Sequence, residues 1–397
     1  MFDTEVLQLE PALVACRRQL HAHPELSFQE TATTRYLETQ LREMGVDAIH
    51  APCKTGLIAV IHGKKPGTAR ALGVRADIDA LPIQEDTGLP YRSQIPGVMH
   101  ACGHDAHAAI ALTLARLLCA HREAFCGEVR ILFQHAEELP PGGAIEMLRA
   151  GAAEGLDALL ALHLSTTFPS GYFGVRPGAL TANTDRFDIT IRGKGGHCAL
   201  PEMCIDPIVI GAQVILALQT LVSRCVAAAD AAVVSICQAT AGNAYNIIPN
   251  AMTLTGTTRC MGPEARAFLR REMEQIVRGI TQAGGAAYDF AWQDGYPSVM
   301  NDAALTALAE QCITERFGAE RVLHIGPLMP GEDFSYFLEN GKRPGFFAEL
   351  GTRSAACGSD QPHHNPHFKI DEDCMKYGVQ FLYDMTLRLL DGTGATL

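Results

Sequence analysis

Two textures of apolar and polar positions divide the chain. Residues 5–20 and 29–44 repeat apolar side chains at helical spacing. Between them His21-Ala-His-Pro-Glu-Leu26 carries Pro24, which breaks any continuous helix, while Glu30 and Thr31 suit the opening of the second one. Short, mainly apolar runs follow, at Gly56 to Val60, Ala71 to Ala76, Val129 to Phe133 and Ala158 to Leu162, and read as buried strands. Helical patterns, the most apolar of them Ala108 to Leu118, separate the later runs. Strand–helix–strand order of this kind predicts an α/β domain whose sheet is largely parallel and covered on both faces.

From Ala182 onward the texture changes. Thr184 to Arg192 alternates, with Phe187, Ile189 and Ile191 on one face, as a strand with one wet side should. Gly193-Lys-Gly-Gly-His197 is a turn, and Asp206 to Val222 reads as a helix with Pro207 in its first turn. Strands at Ala232 to Gln238 and Met252 to Thr258, a helix from Pro263 to Gly284 and a strand at Ala287 to Trp292 complete a βαββαβ order. That order predicts a small α+β domain of the ferredoxin-like kind, residues 182–295, inserted into a first domain formed by 1–181 and 296–397. Helices at Asn301 to Phe317 and Asp371 to Leu390 return the chain to the first domain.

Bulk composition narrows the partners more than the fold. A net charge of -12 gives no basic footprint for nucleic acid or an anionic membrane. No uninterrupted apolar stretch reaches the roughly 18 residues of a membrane span. The opening Met-Phe-Asp-Thr-Glu-Val lacks the basic-then-apolar order of a signal peptide. The 13 cysteines are odd in number and scattered, with no Cys-x-x-Cys pair, which fits a reduced, cytoplasmic protein.

Candidate chemistry centres on Met99-His-Ala-Cys-Gly-His-Asp-Ala-His107. Cys102 and His104 flank Gly103, whose backbone freedom lets both aim at one ion, and thiolate with imidazole suits borderline first-row metals. The bland alternative is a polar loop opening a buried helix. More telling are the strand ends: Asp77 and Asp79 follow the second run, Glu137 and Glu138 the third, His163 the fourth. Sites in open α/β sheets form where the carboxyl ends of strands converge. The late Pro362-His-His-Asn-Pro-His367 adds further imidazoles, whereas His21 and His23 read as turn or packing residues. Adjacent carboxylates at 137 and 138 would repel in one pocket unless a divalent cation bound one and left the other free as a base. Glu137 would then take a proton from a cation-activated water that attacks an amide carbonyl, and pass it to the leaving nitrogen. His197 could meet a developing oxyanion, and the amides of Asn243-Ala-Tyr-Asn-Ile-Ile-Pro249 could grip a carboxylate; the alternative for each is an ordinary surface turn.

These residues resemble the metallo-amidohydrolases that include hippurate hydrolases, aminoacylases and indole-acetyl-amino-acid hydrolases. The resemblance is carried by Arg17-Arg-Gln-Leu-His-Ala-His-Pro-Glu25, Arg75-Ala-Asp-Ile-Asp-Ala-Leu-Pro82, His100 to His107 and Gln134-His-Ala-Glu-Glu138. It continues through Leu162-His-Leu164, Gly193 to His197, Asn246-Ile-Ile-Pro249, Gly331-Glu-Asp-Phe334 and His364-Asn-Pro366. It implies a zinc-peptidase-like catalytic domain with a mostly parallel mixed sheet, and an inserted lid and dimerisation domain. It further implies metal ligands at Cys102, His104, Glu138, His163 and His364, the last preferred to His363 because the family motif is histidine, a variable residue, then proline. Glu137 would be the general base, His197 would complete an oxyanion site from a partner subunit, and Asn246 would contact substrate. Two divalent ions (zinc, manganese, cobalt or nickel) per subunit and a homodimer or dimer-based tetramer are expected.

The expected reaction is hydrolysis of an N-acyl amino acid. Departures from the family pattern stand at His135, where proline is common, and at Cys198, Pro201 and Glu202 after the lid histidine. A dipeptidase or aminopeptidase on the same scaffold is the nearest alternative, with Glu202 a candidate for gripping a free amine. A thiol hydrolase with Cys102 as nucleophile and His104 or His107 as base leaves the 137–138 pair unused. A non-catalytic binding protein would be expected to have lost Glu137.

Overall fold

The computed structural model describes residues 1–228 and 230–391. They form two compact units: Met1–Gly178 with Val299–Gly326 and Asp333–Leu397, and Ala179–Ser298 with Pro327–Glu332. Pro327–Glu332, assigned from sequence to the first domain, thus packs with the second unit.

The first unit is built on one eight-stranded mixed sheet. Its strands are β1 (Ala48–His50), β2 (Leu57–His62), β3 (Ala71–Asp77), β4 (Glu128–Gln134), β5 (Ala158–Pro169), β6 (Phe173–Val175), β7 (Val322–His324) and β8 (Gly345–Arg353). Their spatial order is β1-β2-β4-β3-β5-β8-β6-β7. The β4–β3–β5–β8 centre is parallel, as the buried apolar runs predict, while β1–β2, β2–β4 and β8–β6 pair antiparallel. β8 was not legible as a strand, because Glu349 and Gly351 interrupt its apolar run. It is nonetheless buried along its length up to Arg353 and lies directly beside β5.

Helices α1 (Thr4–Ala22), α2 (Thr31–Met44) and α3 (His104–Ala120) cover the sheet, and α1 packs on α3. Nearly every residue of α3 is buried. Its alanines at 106, 108, 109, 111 and 115 let neighbouring elements approach closely, so its first turn is fixed from all sides.

That first turn is also held by charge. Arg17, wholly buried on α1, donates from Nε to Asp105 Oδ2 at 2.7 Å and from Nη1 to Tyr91 Oη at 3.0 Å and Glu372 Oε1 at 3.2 Å. His21 stands between Asp105, 2.8 Å from its Nδ1, and Glu85, 3.3 Å from its Nε2. Burial and the Arg17 charge oppose a proton on His21, yet Asp105 and Glu85 raise its pKa. The Arg-Arg-Gln-Leu-His segment is therefore a clamp on the start of α3, and both nitrogens of His21 are spent within it.

The second unit has a four-stranded antiparallel sheet in the order Ala232–Ala241, Ala251–Cys260, Asn183–Arg192, Ala287–Asp294. Helices Pro207–Cys225 and Gly262–Ala283 pack on it in the βαββαβ order read from the sequence. Asp206 caps the first helix by accepting from Ile208 N, with Pro207 at the opening position. An 18-residue window of this 19-residue helix has a mean hydropathy of 1.7, long and apolar enough by composition to cross a bilayer, although Gln213, Gln219 and Thr220 interrupt its apolar run. Ile210, Val214, Leu218 and Leu221 commit one of its faces to the unit's own core, while Val209 and Leu216 point outward.

Arg17→Met should leave Asp105 buried without its main partner. The expected loss is about 3–5 kcal/mol of unfolding free energy, measured by urea denaturation of the ion-free protein; a loss below about 1 kcal/mol would show that the clamp is dispensable.

Candidate metal centre and catalytic groups

The carboxyl ends of β3, β4 and β5 supply most of the centre, and each side chain is aimed by a local constraint. Gly103, with φ of 96°, turns the chain into α3 so that Cys102 precedes the helix and His104 opens it. His104 Nδ1 lies 3.0 Å from the Asp79 carbonyl and 3.2 Å from Asp79 Oδ1, so the ring donates there and turns Nε2 toward the acids. Asp79 Oδ2 accepts from Glu138 N at 3.0 Å and from Ser27 Oγ at 2.7 Å. One carboxylate thus orients both an imidazole and the backbone of a second candidate ligand.

Ala136 adopts a positive φ of 50°, which bends the chain sharply after β4 and before Glu137 and Glu138. Its N–H donates to the buried Glu30 Oε1 at 2.8 Å, and Thr55 Oγ1 donates to Glu30 Oε2 at 2.8 Å. Glu30, expected only to open α2, makes no side-chain cap there; its carboxylate instead ties down the strained turn. Nothing in its local sequence shows this, since its partners lie 25 and 106 residues away.

His163 lies inside β5 rather than after it, because the strand runs on to Pro169. Its Nδ1 faces the Leu164 carbonyl at 2.8 Å, which leaves Nε2 3.4 Å from Cys102 Sγ. His364, at φ of 60°, brings Nε2 within 3.1 Å of Glu138 Oε1. The neighbouring His363 enters the cluster as well. Its Nδ1 is 3.7 Å from Cys102 Sγ, and its Nε2 faces Thr166 N at 3.5 Å, the arrangement of an N–H directed at sulfur. His107 does not serve as a donor: Leu164 N donates to its Nε2 at 2.9 Å, and its Nδ1–H faces Asp77 Oδ1 at 2.7 Å. Asp77 is held in turn by Arg75, which also donates to Gln134 and Asp333, all four side chains being buried.

Potential donor atoms gather in overlapping trios within 4.8 Å: Cys102 with Glu138 and His364, Cys102 with His163 and His363, and His104 with Glu137 and Glu138. Among the described residues, His104 Nε2 and Glu138 Oε1 are buried without a hydrogen bond of good geometry. Buried polar atoms so left are costly unless something binds them. The donor chemistry fits a divalent cation, and trios sharing Cys102 fit two.

Protonation agrees with that fit. Burial opposes charge on His104, but Asp77, Asp79 and Glu138 outweigh it and carry the pKa up to about 10. Burial, then the nearby His107 and His363, holds His163 well below the ordinary imidazole range and so neutral. Cys102 is pushed well above the usual thiol range by burial and by Glu138, Glu137 and Asp77. A thiolate nucleophile is therefore disfavoured there unless a cation displaces the proton.

His197 and Asn246 belong to the second unit, where both are exposed. They are neighbours: Gly196–His197 pairs with Ile247–Ile248, and Cys198 N donates to the Asn246 carbonyl at 3.3 Å. Ala199 N donates to His197 Nδ1 at 3.1 Å, so the neutral ring carries its proton on Nε2 and can donate it outward.

A mixed sheet flanked by helices, with Cys, His and Glu donors clustered along one side of it, is the arrangement of a divalent-metal centre in an α/β protein. Residues 73–388 match the family described as Peptidase family M20/M25/M40, and the chain belongs to it. It is 40% identical over 380 residues, 96% of this chain and 97% of the other, to an N-acetylcysteine deacetylase of Bacillus subtilis. An N-acyl-L-amino acid amidohydrolase of Geobacillus stearothermophilus is 45% identical over 294 residues, covering 74% of this chain and 79% of its own. Among solved structures, a Bacillus subtilis protein described as a dinuclear metal-binding peptidase of the M20 family superposes with a TM-score of 0.85. The two share 37% identity, over 97% of this chain and 99% of that one. The protein is a metal-dependent amidohydrolase.

If the Cys102 thiol is held protonated as described, iodoacetamide at neutral pH should leave it unmodified in the ion-free protein while the exposed Cys198, Cys225, Cys237 and Cys357 react. Peptide mapping by mass spectrometry reads the difference; rapid modification of Cys102 would return the thiol to the list of nucleophiles.

Proposed function

We propose that the protein hydrolyses the amide bond of N-acyl amino acids, acetyl conjugates included, to a carboxylic acid and a free amino acid. The observation that carries this reading is the overlap of donor trios drawn from Cys102, His104, Glu138, His163 and His364, with His104 Nε2 buried without a hydrogen bond and Glu137 beside them. Cys102, Glu138 and His364 would hold one divalent cation, and His104 and His163 with the shared Cys102 a second. Such ions acidify water and polarise the scissile carbonyl. Zinc, manganese, cobalt and nickel all suit this donor set.

Glu137 is the residue assigned to proton transfer. The strained turn at Ala136 is pinned by Glu30, and the backbone of Glu138 is fixed on Asp79, so the chain on both sides of Glu137 is held. Glu137 takes the proton of the attacking water and delivers it to the departing nitrogen. His197 is assigned an oxyanion contact, for which its outward Nε2–H is suited, and Asn246 a contact to the substrate's carboxylate. The second unit is proposed to act as a lid and to pair two subunits, as a dimer or a dimer-based tetramer; the outward Val209 and Leu216 supply apolar surface for that pairing. Cysteines that are all free support a reducing compartment such as the cytoplasm. A dipeptidase is the alternative reading, and Glu202, exposed on a short turn, is its amine-binding candidate.

Hydrolysis of acetyl, benzoyl and indole-acetyl amino acids and of plain dipeptides, before and after chelation and with each ion restored, tests the reading. Acyl conjugates should be cleaved, activity should vanish with the chelator, and one ion should restore it. Preference for dipeptides would replace the substrate assignment, and chelator-resistant turnover would remove the metal chemistry.

Glu137→Gln should lower kcat by about a hundredfold or more, within the range of general-base losses, with ion content unchanged by elemental analysis. Cys102→Ala should lose bound ion and activity together. An active, ion-replete Cys102→Ala protein would contradict the assigned ligand set.

A further inference from the structure

A second cluster of metal-binding side chains lies in the first unit and shares no residue with the catalytic donors. Cys53 is on the loop between β1 and β2, His135 is the first residue beyond β4, and Glu146 is on the helix Gly143–Arg149. One donor atom from each lies within 4.8 Å of the other two. His135 is only 1% exposed; its Nε2 is 3.1 Å from Glu146 Oε2, and its Nδ1 is buried with no hydrogen-bond partner. A buried imidazole with a carboxylate at one nitrogen and a thiol close by is a donor set that suits a cation. Cys53 is half-buried, and the Glu146 side chain is about half exposed, so the cluster opens to solvent.

We propose that Cys53, His135 and Glu146 form a separate divalent-cation site, selective for a borderline ion such as zinc. Thiolate, imidazole and carboxylate are its common ligands, and the solvent-facing side leaves water as the fourth. Burial, reinforced by the Glu146 charge, raises the Cys53 thiol to about 11, so zinc binding releases its proton to solvent as the sulfur–metal bond forms. The ion joins the loop before β2, the end of β4 and the helix after the 137–138 pair. It would therefore brace the turn that presents the proposed base without touching the reacting atoms. Calcium and magnesium, which take oxygen ligands, would not substitute.

The test uses full-length protein stripped of ions and re-equilibrated with zinc alone, then desalted and assayed for metal per chain. Wild-type protein should retain about one zinc more than Cys53→Ser or Glu146→Gln. Substituting cobalt for zinc should give a thiolate charge-transfer band whose intensity falls in Cys53→Ser and is unaltered by magnesium. Glu146→Gln, a surface change, guards against a folding defect in the cysteine variant. Equal zinc content in all three proteins, with cobalt spectra that coincide, would overturn the proposal.

Discussion

The centre depends on buried hydrogen bonds between carboxylates and imidazoles. Asp79 receives His104 Nδ1, and Asp77 receives His107 Nδ1, and each bond decides which ring nitrogen is left over. For His104 the free nitrogen is turned toward Glu138, whereas for His107 it is consumed by Leu164 N–H. Two histidines one helical turn apart thus have opposite fates, settled by partners and not by residue type. A carboxylate costs much to bury, and Asp77 is compensated by His104, Arg75 and His107, all buried with it. Arg75 also bonds Gln134 and Asp333, so the ends of β3 and β4 and the segment after residue 332 are fixed by one guanidinium.

A parallel arrangement explains why so many remote residues are needed. β3, β4 and β5 run in parallel; the last residue of β3 and the turns beyond β3 and β4 deliver Asp77, Asp79, Glu137 and Glu138, and the middle of β5 delivers His163. Turns alone would leave these groups mobile. The clamp of Arg17 and His21 on Asp105 fixes the helix that carries His104, and Glu30 fixes the bend that carries Glu137. Both clamps come from the first 30 residues of the chain, which donate nothing to the donor trios themselves. The N-terminal segment serves as scaffold for chemistry placed by the strands.

Much of this was legible from the sequence, and the limits are physical. Runs such as Ala158 to Leu162 announced buried strands because five successive apolar residues between turn signals fit a covered sheet and are too short for a helix of their own. The βαββαβ order of the second unit was legible because alternation and helical spacing are local properties. β8 escaped because a glutamate and a glycine inside a buried strand mimic a loop. Asp77 and Asp79 could be noticed at a strand end, but not that they would orient histidines, since which nitrogen they engage is a tertiary fact. Glu30 is legible as the residue that opens α2, and it stands at that helix's N-terminal boundary, but its bond to Ala136 N, 106 residues on, is a tertiary fact of the same kind. His363 and His364 cannot be ranked by spacing, and the fold brings both to the cluster in different roles.

Protons and cations compete for the same atoms, and this links the centre to pH. His104 is raised to about 10 in the folded, ion-free protein, from an ordinary 6.5. A raised group stabilises the fold fully below its unfolded value, and that contribution is lost as pH climbs through the folded one. Asp77 moves the opposite way, so its contribution is present above its ordinary 3.8 and is lost in acid. His104 and Asp77 both contribute in full between about 4 and 6.5, whereas His163, His107 and His363, whose values are lowered by burial, oppose that gain as pH falls below 6.5. A divalent cation removes the need for the His104 proton, because it supplies positive charge to the same carboxylates at higher pH. The groups that make the site hard to keep without an ion are those that make it bind one: the proton on His104 and a metal cation offer the same carboxylates their positive charge.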